Sequence, residues 1–166
     1  MSETPSQGTN AIGDAGQSPP GITQLTAFLD DGDSRLADLL RRFESRNCRL
    51  VSLSLKRELG YTIARFILVP SAAGRDVLER AGLPIVENLL LAVRLNFGPQ
   101  PLLQVCLPLV REDVHVHSGQ VLALADDNSS IALLAVSDIP RACGILRERG
   151  FHLMTEESLF GTGENP

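Results

Sequence analysis

Two turns, each predicted to lead from a strand into a helix, carry the residues best placed for chemistry. The first, LDDGDSRLADLL at 29–40, sets Asp30, Asp31 and Asp33 between an apolar run and an amphipathic helix pattern. Free N–H groups at a helix N-terminus attract an anion. Carboxylates in the same turn attract an ammonium group or a cation, or simply complement the helix dipole. Asp33 or Ser34 is suited to accept from the first free amides. A hard divalent cation needs more oxygens than this turn offers, and EF-hand spacing is absent. A capped turn, an ammonium contact and a metal, in that order, stay open. The second turn is LNFGPQPLL at 95–103.

Other candidates are weaker. His115 and His117 alternate onto one strand face as half of a metal site, but His152 falls on the opposite sheet edge, so no third ligand joins them. A polar or interface face is the plainer reading. Cys48, Cys106 and Cys143 show no CxxC or CxxH spacing. An odd, scattered set fits reduced cytoplasmic thiols that fill core space. Ser52, Ser54 and Ser118 lack a G-x-S-x-G setting, and neither turn has Walker or G-x-G-x-x-G spacing. No catalytic residue, metal or cofactor is expected.

The chain that must position these residues has 166 amino acids, a net charge of −5 and no tryptophan. That balance argues against a basic nucleic-acid footprint and against anionic membranes. Residues 1–20 lack the basic and apolar regions of a secretory signal, and their Gly, Pro, Ser and Gln content predicts a disordered lead. The most apolar stretch, LPIVENLLLAVRL, is too short and too polar to span a bilayer.

Periodicity predicts a strand at 22–29, a helix burying Leu36, Leu39, Leu40 and Phe43, and an alternating strand with Val51, Leu53 and Leu55 on one face. A hairpin at Gly60 then leads to YTIARFILV. A helix with Val77, Leu78 and Ala81 inward stops at Gly82, and LPIV returns as a strand. This is the split βαβ, ferredoxin-like order. The remainder repeats it, starting from NLLLAVRL as a new strand. Leu36 corresponds to Leu102, Val69 to Val136, Leu78 to Leu146 and Gly82 to Gly150, at offsets of 66 to 68, which marks an internal duplication. Pro108 lies inside the second unit's first helix and is expected to kink or shorten it. The expected fold class is α+β: two ferredoxin-like βαββαβ units in tandem, with antiparallel sheets and helices on one face. The units span 21–88 and 89–157, followed by a flexible tail at 158–166. The sheets are expected to join through edge strands near 50–56 and 114–123.

The order, the lengths and the duplication resemble a tandem ACT-domain protein over roughly 22–157. The segment AVSDIPRACGILRERGFHLMTEESL is similar to the end of small two-ACT proteins, and LTAFLDDGDSRLADLLRRFESRNCRLVSLSL is similar to the family's opening. The resemblance implies a non-enzymatic regulator that binds an amino acid or similar small metabolite at the strand–helix turns. The implied binding residues are Asp31, Gly32, Asp33, Ser34, Arg35 and Leu36 in the first turn, and Phe97, Gly98, Gln100 and Leu102 in the second.

Both turns depart from the family's Pro-Gly before x-L-A. Asp33 and Ser34 stand there in the first, Pro99 and Gln100 in the second, and Gly32 and Gly98 lie two positions upstream. A side chain in place of glycine narrows close approach of a ligand. Two alternatives follow: a regulatory subunit of a biosynthetic enzyme, such as the small subunit of acetolactate synthase, or an interaction module whose pockets have decayed. An RNA-binding ferredoxin-like domain would need aromatic and basic motifs that are missing. Exposed edges leave a homodimer open.

Overall fold

The computed structural model describes residues 20–30, 33–44, 48–96, 98–124 and 129–160. The elements are β1 (Ile22–Asp30), α1 (Asp33–Glu44), β2 (Arg49–Glu58), β3 (Tyr61–Val69), α2 (Ser71–Arg80) and β4 (Ile85–Leu95). They continue with α3 (Pro101–Arg111), β5 (Val116–Ala123), β6 (Ser130–Val136), α4 (Ile139–Glu148), β7 (Leu153–Met154) and α5 (Glu156–Phe160). The strands form one seven-stranded sheet in the order β2-β3-β1-β4-β6-β5, with β7 also on β4. All the strand pairs are antiparallel. The fold is α+β and follows two ferredoxin-like βαββαβ units.

The two units are joined through β4 itself. Residues 85–90 pair with β1 as the closing strand of the first unit. Residues 91–95 pair with β6, and Ala92 and Val93 with β7, as the opening strand of the second. The sequence reading put two strands here, LPIV and NLLLAVRL, with Glu87 between them and Asn88 opening the second. Both are exposed, and Glu87 meets Arg75 of α2 in an ion pair, so polar residues suit that stretch of strand. The expected joining of strands near 50–56 and 114–123 does not occur; β2 and β5 are the outer edges of the joined sheet.

Register shows how closely the halves repeat. Leu25 pairs with Phe66 and Ala27 with Ala64 in the first unit; Leu91 pairs with Leu134 and Val93 with Ala132 in the second. A bulge falls between Leu50 and Ser52 and again between Val116 and Ser118. These bulges align Leu68 with Val136, so the sequence match of Val69 with Val136 is one residue out of register. They also break the expected alternation. Val51 packs on the opposite face from Leu53, and His115 precedes the strand while His117 sits at the bulge.

Helix ends repeat too. Gly82 and Gly150 have φ of 69° and 79°. Around them Leu83 and Phe151 donate to Leu78 and Leu146, and the two glycines donate to Glu79 and Arg147. That is the left-handed stop that leaves the carbonyls of the last turn satisfied.

One core lies under α1 and α2, built on Leu25, Phe66, Leu68 and Leu78. A second lies under α3 and α4, built on Leu91, Val93, Leu134 and Leu146. Ile85, Leu91 and Val93 share one side of β4, so both helix pairs lie on the same side of the sheet. The reverse side closes around Ile22, Ile67, Leu90, Ala92, Ile131 and Leu133, with Leu159 of α5 packed against them. Helix α5 is held firmly for its size. Thr155 and Ser158 bond reciprocally at its start, and the Glu156 carboxylate accepts from the backbone N–H of Ser71 at 2.8 Å, at the N-terminus of α2. Helix α3 runs through Pro108 to Arg111, so the proline does not shorten it; Pro108 is buried in that helix.

Candidate functional site

The two strand–helix turns occupy corresponding places but differ chemically. In the first, Asp30 ends β1 and Arg35 lies in the first turn of α1, and their side chains form an ion pair across the turn. Helix α1 begins at Asp33, with Ser34 next, and the position before it lies outside the described residues. Ser34 and Arg35 are exposed, and Leu36 packs against the first core. Asp31 and Gly32 lie outside the described residues. The arginine that the resemblance assigns to a ligand is thus engaged by the chain's own carboxylate. Both groups are largely exposed, so the pair adds little to stability, but it sets where the guanidinium stands.

At the repeat offset of 66, Asn96 and Pro101 stand where Asp30 and Arg35 do. No ion pair can bridge the second turn between these two positions. A cavity of about 280 Å³ opens there, lined by Leu95, Asn96, Gly98, Pro101, Leu102, Val121, Ser129 and Ser130. The lining comes from three places: the end of β4, the start of α3 and the β5–β6 hairpin. Register explains the meeting, since Ser130 pairs with both Leu95 and Ala123.

Gly98 has φ of 156°. Among the described residues, a Cβ there would approach only Gln104 Nε2, at 3.9 Å. Gln100 is the N-cap residue of α3, and its side chain makes no capping bond. Pro101 follows at the first helical position, where its missing N–H costs nothing. The next amides of an α-helix have no intrahelical acceptor. Ser129 is nine-tenths buried and accepts from Arg94 Nη2 at 3.3 Å.

Of the second-turn residues singled out in the sequence, Gly98 and Leu102 line the cavity, Gln100 stands at the N-cap position of the adjoining helix and Phe97 lies outside the described residues. Sequence reading missed Leu95, Asn96, Pro101, Val121, Ser129 and Ser130. The repeat offset alone could have pointed to Asn96 and Pro101.

His115 and His117 are both exposed, and no group of three potential metal ligands occurs among the described residues. The three cysteines are thiols. Burial pushes Cys48 and Cys106 up, and does the same to Cys143, partly offset by the nearby Arg147. Raised thiols carry less thiolate near neutrality. Reaction with a chromogenic disulfide at pH 8 is therefore expected to be slow for the native chain and fast in denaturant, with Cys143 slowest by mass-spectrometric mapping. Labelling of Cys143 as fast as in the unfolded chain would contradict its burial.

The fold is that of a tandem ACT-like protein. Its solved counterparts include protein BT0572 from Bacteroides thetaiotaomicron, with a TM-score of 0.76 and 18% identity over 87% of this chain and all of that one. The regulatory subunit of aspartate kinase from Thermus thermophilus, in its ligand-free form, has a TM-score of 0.54 and 10% identity, covering 79% of this chain and 92% of that one. The aspartokinase alpha and beta subunits give 0.50 and 12%, covering 77% and 91%. No protein-family model and no curated protein matches the chain. No helix among the described residues is long and apolar enough to cross a membrane.

Proposed function

We propose that this chain is a non-enzymatic regulatory protein that binds a small amino acid or similar metabolite at the second strand–helix turn. The observation that carries the reading is the cavity between Gly98, Leu102 and the β5–β6 hairpin. A ligand carboxylate suits the opening amides of α3. Leu95, Pro101, Leu102 and Val121 offer apolar walls, and Asn96, Ser129 and Ser130 offer acceptors for an ammonium group. An aliphatic side chain fits this lining better than a charged one, because a buried charge needs a partner. The first turn, where Arg35 is held by Asp30, is the weaker site.

Titration calorimetry against the twenty amino acids tests the reading. A short-chain aliphatic amino acid is expected to give heat, and at a hundred times its Kd to stabilise the fold by about 2.7 kcal/mol. Leu102→Arg, at a partly exposed position, is expected to abolish the heat without lowering the melting temperature of the free protein. Absence of heat and of thermal shift for all twenty at millimolar concentration overturns it. The second reading, a regulatory subunit of a biosynthetic enzyme, is favoured by the fold shared with the aspartate kinase regulatory subunit. Co-purification with a catalytic subunit from the native host is its test.

A further inference from the structure

The reverse side of the sheet is covered over the second unit and open over much of the first. Register matches the positions. Thr26 pairs with Arg65 and Val86, as Ala92 pairs with Leu133 and Met154. Phe28 pairs with Ile63, as Arg94 pairs with Ile131. In the second unit Ala92, Ile131 and Leu133 are buried with Ile22, Ile67 and Leu90, and Met154 and Leu159 pack against them. The first unit's positions have no such cover among the described residues. Phe28 is 38% and Val86 48% exposed, and Ile63 and Arg65 are half-buried. Tyr61 extends the patch: it is 41% exposed, and its ring centre lies 6.4 Å from that of Phe28.

Two polar groups on this face lack partners among the described residues. Thr26 is buried, and its Oγ1 has no hydrogen-bond partner. Such a group calls for an explanation. Arg65 forms no ion pair, while the nearby carboxylates are taken, Asp30 by Arg35 and Glu58 by Lys56. An aromatic centre with a charged rim is the usual anatomy of a protein–protein contact.

We infer that this open face of the first unit is the docking surface for a segment of another protein, one that sets an apolar side chain against Phe28, Tyr61 and Val86 and a carboxylate against Arg65. Charge decides the occupant. Where the second unit has Leu133, its cover is wholly apolar. Arginine at the matching position calls for a cover with an acid in it, which it can hold through two parallel bonds. A second copy of the chain fits poorly, because a two-fold contact turns the same patch, with its Arg65, toward itself, and like charges repel. Asp30 and Glu58 at the rim oppose an anionic bilayer, and Arg65 alone neutralises too little of a phosphate backbone. The inference does not depend on the ligand reading, since the cavity belongs to the second unit.

Amide NMR of the isotope-labelled full chain, titrated with the peptide acetyl-Leu-Phe-Glu-Leu-amide, tests it. Saturable shifts are expected at Thr26, Phe28, Ile63 and Arg65. The same peptide with glutamine in place of glutamate is expected to bind about fivefold more weakly. Arg65→Glu is expected to reverse the order in favour of a peptide with lysine there. Val86→Glu, at an exposed position, is expected to abolish the shifts with an unchanged circular dichroism spectrum, and it decides the matter if the Arg65 variant fails to fold. No saturable shift at about 5 mM peptide overturns the inference, and so does equal binding of the glutamate and glutamine peptides. Self-association of the wild type that Val86→Glu removes would give the face to a second copy, and flotation with phosphatidylserine vesicles that it removes would give it to a bilayer. Either result overturns the inference too.

Discussion

Leu91→Pro is expected to unfold both halves of the molecule in a single step. Leu91 is fully buried in the middle of β4, where it faces the second core and pairs with Leu134. Just before it, Leu90 pairs with Ile22 of the first unit; just after it, Ala92 pairs with Met154 of the second. Proline removes a ladder donor and cannot be accommodated in a central strand. The lost leucine side chain adds a core cavity, and the two together cost well over about 3 kcal/mol. A domain of this size has only about 5–15 kcal/mol to lose. Because one strand closes both units, neither keeps a complete sheet when it breaks. Calorimetry of the wild type is expected to show one transition whose van't Hoff and calorimetric enthalpies agree. The variant, if soluble, is expected to melt more than about 10 °C lower, again in one transition. Two separable transitions in the wild type would falsify the picture of a single shared strand.

The second large effect concerns Gly74 in α2. A Cβ at this position would lie 2.6 Å from both Cβ and Cδ1 of Leu68. Leu68 is fully buried, and its Cβ is fixed by the β3 backbone, so it cannot yield. Alanine in a helix interior gains about 1 kcal/mol over glycine, but forcing a carbon into this gap costs about 1–3 kcal/mol. Gly74→Ala is expected to be a net loss, and Gly74→Val a larger one. The repeat supplies a partial counterpart. At the offset of 68, Gly74 corresponds to Ala142 and Leu68 to Val136, and both lie within or against the second core. The second unit has a methyl more on the helix and a methylene less on the strand. Leu68→Val alone is expected to cost about 1 kcal/mol as a small cavity. Valine removes the Cδ1 contact but keeps the Cβ one, so combined with Gly74→Ala it is expected to recover only about 0.5 kcal/mol relative to the sum of the single changes. Urea unfolding of the four proteins measures the coupling, and strict additivity would show that the clash is relieved elsewhere.

The two units were legible from sequence because their cues are local. Helical spacing of Leu36, Leu39 and Phe43, and glycines after α2 and α4, each need only a short window. What lay hidden depends on partners distant in sequence. The alternation of Val51, Leu53 and Leu55 looks regular until β3 imposes its bulge. Glu87 looks like a break between two strands until the exposed stretch of β4 and the position of Arg75 are known. Thr155 and Ser158 open a short helix at Glu156–Phe160, which spans the point where the sequence reading ends the second unit. At the candidate site, the turn residues Gly98 and Leu102 were visible as a strand–helix junction. Val121, Ser129 and Ser130 were not, because only sheet register carries the β5–β6 hairpin to that junction. The ion pair of Asp30 with Arg35 was likewise hidden, though both residues were in view, since neither declares its partner until the turn is folded.

The shared strand also constrains how such a chain can change. The two copies have no spacer between them; the last residue pairing with β1 is followed at once by the first pairing with β6. Side chains alternate from face to face along β4, so one inserted residue at this joint would carry α3 and α4 to the far side of the sheet. Two inserted residues would restore the facing and merely lengthen the strand. Length variation among descendants of this duplication should therefore fall in loops such as the β5–β6 connection, and at the joint should come in even steps.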